Sequence, residues 1–393
     1  MAEPFLPYGR QTIDEADVAA VTAALRGDFL TTGPTVGAFE ADFARAVGAA
    51  HAVSCANGTA ALHLAALALG LGPGDTVIVP TLTFLATANA ARYVGAEVCF
   101  ADVDPETGLM TPETLARAAK AAAASGAGQV KSVSPVHLGG NVCDMAAIAG
   151  IARGAGWSVV EDACHAVGGA GVGACEHSDM AVFSLHPVKT ITAGEGGVVT
   201  TQQPALAERL ARLRNHGMVR EPAAFTEKDQ AFDAAGAANP WYYEMPAPGF
   251  NYRLTDIQAA LAMSQLKKLP AFVARRQALA ARYDRALAPL APAVRPVPRA
   301  GAPALHLYAV LIDFAGIGRS RADVMRKLRA DGVGTQVHYV PVHRQPYYRA
   351  RYGRLDLPGA DAYYARTLSL PLFPAMADGD VDRVARALAK AIG

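Results

Sequence analysis

Short apolar runs alternate with stretches of helical spacing through the first half of the chain. This alternation predicts a mostly parallel sheet covered by helices on both faces. Strands are expected at His51–Cys55, Thr76–Val79, Glu97–Phe100, Ser132–His137, Trp157–Val160, Met180–Phe183 and Val198–Thr201. Between them, Ala60–Leu69, Thr83–Tyr93, Pro112–Ala124 and Met145–Gly154 carry helical spacing. An earlier helix is expected from Thr12 to Arg26, with Thr12 as its cap and Glu15 three residues later. Thr31-Thr32-Gly33-Pro34 then reads as a turn.

The pattern changes near Leu254. A long helical stretch, Thr255 to Leu287, is expected to be interrupted at Pro270. A Pro-rich connector follows, then strand His306–Ile312, helix Ser320–Asp331, strand Val333–Val340 and a last helix Gly379–Ile392. Residues 1–250 are expected to form a large domain with an N-terminal segment. Residues 251–393 are expected to form a smaller C-terminal α+β domain that includes the long linking helix. Val219 to Pro248 has little periodicity and reads as a long loop, a kind of segment that is often functional.

Composition narrows the classes. Hydrophobic residues make up 52% of the 393 and charged residues 18%, which describes a globular chain and not a disordered one. A formal net charge of +1 points to neither nucleic acid nor an anionic membrane as partner. The N-terminus lacks the basic and apolar regions of a secretion signal, and the apolar runs break at Gly and Pro before spanning length. The five cysteines are scattered without paired spacing, as expected of reduced thiols in a cytoplasmic protein. His177, His186, His338 and His343 show no metal-ligand spacing, so no metal is expected.

The candidate chemistry centres on Lys189. It follows the apolar run Met180–Phe183 and precedes the turn Gly194-Glu195-Gly196-Gly197, where the backbone can approach a ligand closely. The run Trp157–Val160 leads into Glu161-Asp162. A lysine and an acidic strand end are what pyridoxal phosphate (PLP) requires: an amine to condense with its aldehyde and a carboxylate to keep its pyridine nitrogen protonated. Asn57-Gly58-Thr59 sits between a strand and a helix. It is either a phosphate seat at the helix N-terminus or a plain turn capped by Thr59. Phe84 is either a ring to stack on a flat ligand or a core residue, Ser184 either a phosphate donor or a buried hydroxyl, and His165 could share a ligand with Asp162 three residues before it.

Together these segments resemble the DegT/DnrJ/EryC1/StrS family of PLP-dependent nucleotide-sugar aminotransferases. The likeness runs from Pro7-Tyr8-Gly9-Arg10-Gln11 through Asn57–Leu62, Glu161-Asp162-Ala163 and the Lys189 segment. It continues through Gly249–Ala260 to Gln336-Val337-His338-Tyr339. The resemblance implies PLP fold-type I, the aspartate-aminotransferase-like α/β architecture, and a homodimer with shared active sites. It implies Lys189 as the lysine bonded to the cofactor and Asp162 as the pyridinium partner. Phe84 would stack on the ring, and Gly58, Thr59 and Ser184 would hold the phosphate. Asn251 would reach the phosphate from the neighbouring subunit, and His338 would border the sugar. His165 stands where many members have Gln, either side chain being able to bond the cofactor's phenolic oxygen. Thr31, Thr32, Tyr252 and Arg253 are further candidates for substrate binding.

The resemblance implies L-glutamate as amino donor and a 4-keto-6-deoxy sugar nucleotide as acceptor. The Lys189 segment is similar to enzymes that aminate C4 of a 4-keto-6-deoxy sugar, and together with the opening Pro7–Gln11 the likeness implies a UDP-linked 4-keto-6-deoxy-N-acetylhexosamine. GDP-4-keto-6-deoxymannose is the alternative acceptor. A non-catalytic PLP-binding regulator is the alternative from a different class, and the presence of both Lys189 and Asp162 speaks against it.

Overall fold

The computed structural model describes residues 4–126 and 128–393. After α1 (Glu15–Arg26) and α2 (Pro34–Val47) comes an alternating series. It runs β1 (His51–Cys55), α3 (Gly58–Ala68), β2 (Asp75–Pro80), α4 (Leu85–Tyr93), β3 (Glu97–Ala101), α5 (Pro112–Ser125), β4 (Gln129–Val133), α6 (Met145–Gly154) and β5 (Ser158–Asp162). Next are β6 (Met180–Ser184), β7 (Gly197–Thr201), α7 (Pro204–Leu213) and the single turn α8 (Lys228–Ala231). The seven strands form one sheet in the order β1-β7-β6-β5-β4-β2-β3. Only β7 runs against the rest. This is the mostly parallel, helix-covered sheet that the sequence pattern predicts. Its strands read as near-continuous apolar runs because helices cover both faces.

The second half begins with α9 (Asp256–Leu287) and continues through β8 (Val294–Pro296), β9 (Tyr308–Ile312), α10 (Arg321–Ala330), α11 (Pro346–Tyr352), α12 (Pro358–Arg366), β10 (Thr367–Leu370) and α13 (Asp378–Ile392). β10, β9 and β8 form a small antiparallel sheet. The first half of α9 contributes Ala259, Ala262, Leu266 and Leu269 to a core with Phe39, Phe43 and Phe183. Its second half contributes Leu279, Tyr283 and Leu287 to the core of the small sheet. Arg276, buried between the halves, donates to the carbonyls of His306 (3.1 Å) and Leu372 (2.8 Å). With no carboxylate partner among the described residues, burial pushes its pKa down to about 10.

Four local expectations are corrected. The cap of α1 is Asp14, not Thr12: its carboxylate accepts from the amides of Ala16 and Asp17, and Asp17 answers the Asp14 amide. A carboxylate two residues closer to the first turn outcompetes the threonine hydroxyl. Pro270 does not interrupt α9. The lost hydrogen bond costs about 3 kcal/mol, offset because Leu266 and Leu269 lock that turn into the core. β4 ends at Val133 and not at His137, since Pro135 has no N–H to extend the ladder. Val333–Val340 is not a strand: it makes isolated bridges at Val333 with Leu6 and at Gln336 with Ser369. Between residues 219 and 248 the chain is irregular apart from α8 and a short 3-10 turn, as its weak periodicity implied.

Candidate active site

Parallel strands deliver their carboxyl ends to one edge of the sheet, and ligand sites of open α/β sheets gather there. β1 leads to Asn57-Gly58, β2 to the Thr81–Phe84 segment, β5 ends on Asp162, and β6 ends on Ser184 ahead of Lys189. These ends line a cavity of about 710 Å3, closed from the other side by Tyr8 and by Gln336, His338 and Tyr339 of the small-sheet half. Gly58, Thr59, Phe84, Asp162, His165, Ser184, Lys189 and His338 all line it. Thr31, Thr32, Asn251, Tyr252 and Arg253 do not. Thr31 instead bridges Thr255, Asn251 bridges Asn215, and Arg253 donates to the Asn215 side chain at 2.7 Å.

The Lys189 amine makes no hydrogen bond or ion pair among the described residues. Burial lowers its pKa, only partly opposed by Cys164 and Asp162. Desolvation of this kind makes the amine easier to deprotonate and so more available as a nucleophile. Across the cavity, the Asp162 carboxylate accepts from the Thr87 hydroxyl at 2.6 Å and from the Cys164 amide at 3.2 Å. Thr87 carried no signal in the sequence, because nothing local to α4 shows that its hydroxyl faces a strand end 75 positions on. The Cys164 thiol is pushed well up by burial and by Asp162, so it stays protonated and inert.

At the opposite corner, Asn57 and not Thr59 caps α3, its side chain accepting from the Ala60 amide at 2.9 Å. The Gly58 and Thr59 amides at the first turn have no acceptor among the described residues, the usual state of a helix N-terminus. A Cβ on Gly58 would stand 2.9 Å from the Ser184 Cβ, so only glycine lets strand and helix close around this corner. Free amides with the Thr59 and Ser184 hydroxyls form a seat for a phosphate dianion. An amine, a facing carboxylate, a phosphate seat and the exposed Phe84 ring together fit pyridoxal phosphate.

His338 donates to or accepts from Ser369 through Nδ1 at 2.8 Å, and burial beside Lys189 pushes its pKa down to about 3. His165 and His306 are likewise driven well below the ordinary histidine range, by burial first and then by Lys189. Burial therefore keeps the imidazoles of His165 and His338 neutral where they line the cavity. Tyr339, which lines the cavity, was not among the residues expected here. His306 packs on His165 at 4.6 Å between ring centres.

Replacing Thr87 by valine keeps its shape and removes one of the two donors to Asp162. Stability is expected to fall by about 2 kcal/mol, the typical worth of a buried hydrogen bond to a charged group. Turnover is expected to fall about tenfold through looser placement of the carboxylate. Urea unfolding with parallel steady-state assays checks both.

Fold and cavity define a PLP-dependent enzyme. The chain belongs to the DegT/DnrJ/EryC1/StrS aminotransferase family, whose model matches residues 11–389. It is thus a PLP-dependent sugar aminotransferase. It is 39% identical to the spore coat polysaccharide biosynthesis protein SpsC of Bacillus subtilis (strain 168) over 397 residues, covering 98% of this chain and 96% of the relative. Helicobacter pylori PseC, an aminotransferase involved in the biosynthesis of pseudoaminic acid, superposes with a TM-score of 0.87 at 25% identity, covering 99% of both chains. DesI, solved in the presence of its TDP-sugar product, superposes with a TM-score of 0.85 at 34% identity, covering 100% of this chain and 94% of the other.

Proposed function

We propose that the enzyme transfers an amino group from L-glutamate to C4 of a UDP-linked 4-keto-6-deoxy-N-acetylhexosamine, a step of the pseudaminic acid type. The observation that carries the reading is the unpaired, desolvated Lys189 amine facing the Asp162 carboxylate across one cavity. Pyridoxal phosphate supplies an aldehyde that bonds primary amines and a ring that takes up electrons. Lys189 would hold that aldehyde and, as the free amine, would give and take the proton of the donor carbon. Asp162 supplies the negative charge that keeps the ring electron-poor. Gly58, Thr59 and Ser184 seat the phosphate, Phe84 covers the ring, and His338 borders the sugar as a neutral hydrogen-bonding group. The overall likeness to PseC, an aminotransferase of pseudoaminic acid biosynthesis, supports a step of that type.

We read the protein as a homodimer with shared sites. Support comes from Thr31, Thr32, Asn251, Tyr252 and Arg253 lying outside the cavity of their own chain, while large apolar side chains such as Phe29, Leu30 and Trp241 are exposed. Asn251 then reaches the neighbouring phosphate seat.

Initial rates with L-glutamate and UDP-, GDP- or TDP-linked 4-keto-6-deoxy sugars test the assignment. The UDP-linked N-acetylhexosamine should give the highest kcat/KM, with parallel double-reciprocal lines, because donor and acceptor use one site in turn. A preference for GDP-4-keto-6-deoxymannose would replace the proposed acceptor. Intersecting lines would remove the shared-site scheme.

A further inference from the structure

A short 3-10 turn, Val342–Arg344, serves two cavities. Val340 and Gln345, which flank it, line the active-site cavity. His343 and Arg344 line a separate cavity of about 420 Å3, completed by Arg349 of α11, Arg354, Leu355 and Asp361 of α12. None of these six residues lines the active site. Three guanidinium groups face one carboxylate, an excess of two positive charges. Arg344 alone has an acidic partner, meeting Asp361 at 2.5 Å. Arg349 and Arg354 are exposed, and their side chains make no hydrogen bond or ion pair among the described residues. Arg351, two positions from Arg349, shows the contrasting arrangement, its charge matched by Glu97.

His343 is the buried member, 5% exposed. Its own amide donates to the Thr81 hydroxyl oxygen at 3.3 Å, and that oxygen lies 2.7 Å from Nδ1. Thr81 is fully buried, and its hydroxyl reaches no other acceptor among the described residues, so the hydroxyl proton goes to Nδ1. Burial lowers the His343 pKa. Asp361 and Asp102 oppose that shift, Arg344 and Arg349 add to it, and the ring is uncharged at neutral pH. A neutral ring that accepts at Nδ1 carries its proton on Nε2. Nε2 is the end of the ring away from Thr81, and it has no partner among the described residues. The cavity thus has a fixed N–H donor at its floor and two uncommitted guanidinium groups at its rim.

We propose that this cavity is a binding site for a phosphoryl dianion, separate from the phosphate seat at Gly58, Thr59 and Ser184. Arg349 and Arg354 supply charge and paired donors, a geometry that matches phosphate oxygens two at a time. His343 adds a neutral donor whose direction is set by Thr81. A dianion offsets the excess of two positive charges, and Arg344, already held by Asp361, forms the wall. The site is independent of the reading of Lys189.

The test is isothermal titration calorimetry at fixed ionic strength, with inorganic phosphate as probe and enzyme loaded with PLP so that the active-site seat is filled. One phosphate per chain should bind. Arg349→Gln and Arg354→Gln should each weaken it about tenfold, the scale of losing one hydrogen bond to a charged group. Both side chains are exposed, so the fold should survive each change. His343→Leu should weaken binding to a similar extent, and His343→Gln, which keeps an N–H donor, should recover part of it. Arg117→Gln, at an exposed position of α5, makes the same change in net charge and should leave binding untouched. The same titration with glycerol 3-phosphate identifies the source of the group. Equal affinity assigns the site to free phosphate and tighter binding to a phosphorylated small molecule, and either upholds it. No binding to the wild type, or equal weakening in Arg117→Gln, would overturn the proposal. So would a bound phosphate indifferent to both Arg349→Gln and Arg354→Gln, which would mark an unfilled seat at Gly58, Thr59 and Ser184 instead.

Discussion

Lys189→Ala is expected to lose turnover by at least about 10^4-fold, the upper range for removing a proton carrier, with the covalent anchor lost as well. The visible band of the bound cofactor should vanish while PLP is still retained through the phosphate seat and Asp162. Lys189→Met keeps the volume of the stem and separates chemistry from stability. Burial holds the Lys189 pKa below its ordinary value of 10.5. Between the lowered native value and 10.5 the unfolded chain binds more protons than the folded one, so the stability of the cofactor-free enzyme rises with pH through that window. Below the window the whole cost of burying the ammonium is present. Cofactor-free Lys189→Met should therefore melt at a higher temperature than wild type near neutral pH, the gap closing as pH approaches 10.5. A lower melting temperature for the variant at neutral pH would contradict the desolvation that makes this amine reactive.

That Lys189 and Asp162 were legible before the fold follows from their positions. Each sits just past a short apolar run, and in a parallel sheet such runs must end at the same edge. The phosphate corner was legible for the same reason, although its cap is Asn57. Tyr339 and Thr87 were not, because each acts through a partner far away in sequence: 174 positions separate Tyr339 from His165 and 75 separate Thr87 from Asp162. The segment Val333–Val340 misled by its alternation, which matches a strand although the chain there makes only isolated bridges. Its real constraint is tertiary, since His338 is tied to Ser369 and Tyr339 to His165. The same applies at Pro270, where local propensity argued for a break and packing on both sides of the residue preserved the helix. Propensity decided the elements with one covered face. Contacts between the two halves decided the lining of the cavity.

Asp162→Asn isolates charge from shape. The carboxylate now accepts from two donors, the Thr87 hydroxyl and the Cys164 amide. A carboxamide has one acceptor oxygen, and the Cys164 amide, which can only donate, will claim it. The new NH2 then faces Thr87, whose hydroxyl can turn to accept while giving its proton to Thr83, 2.7 Å away. No buried group is left without a partner, so the variant should fold with near-native stability. What disappears is the negative charge opposite Lys189, the charge we propose holds the pyridine ring protonated. Turnover should fall roughly 10^3-fold, the scale for removing a preorganised electrostatic partner. Single-turnover rates with L-glutamate alone should fall as far as the full reaction, because the ring must accept electrons whichever carbon loses its proton. PLP affinity should drop much less, since the phosphate seat is built from Gly58, Thr59 and Ser184 on other elements. A variant whose single-turnover rate stays within tenfold of wild type would show that Asp162 serves only to order Thr87 and the Cys164 amide. The modest loss expected for Thr87→Val would then be its nearer equal.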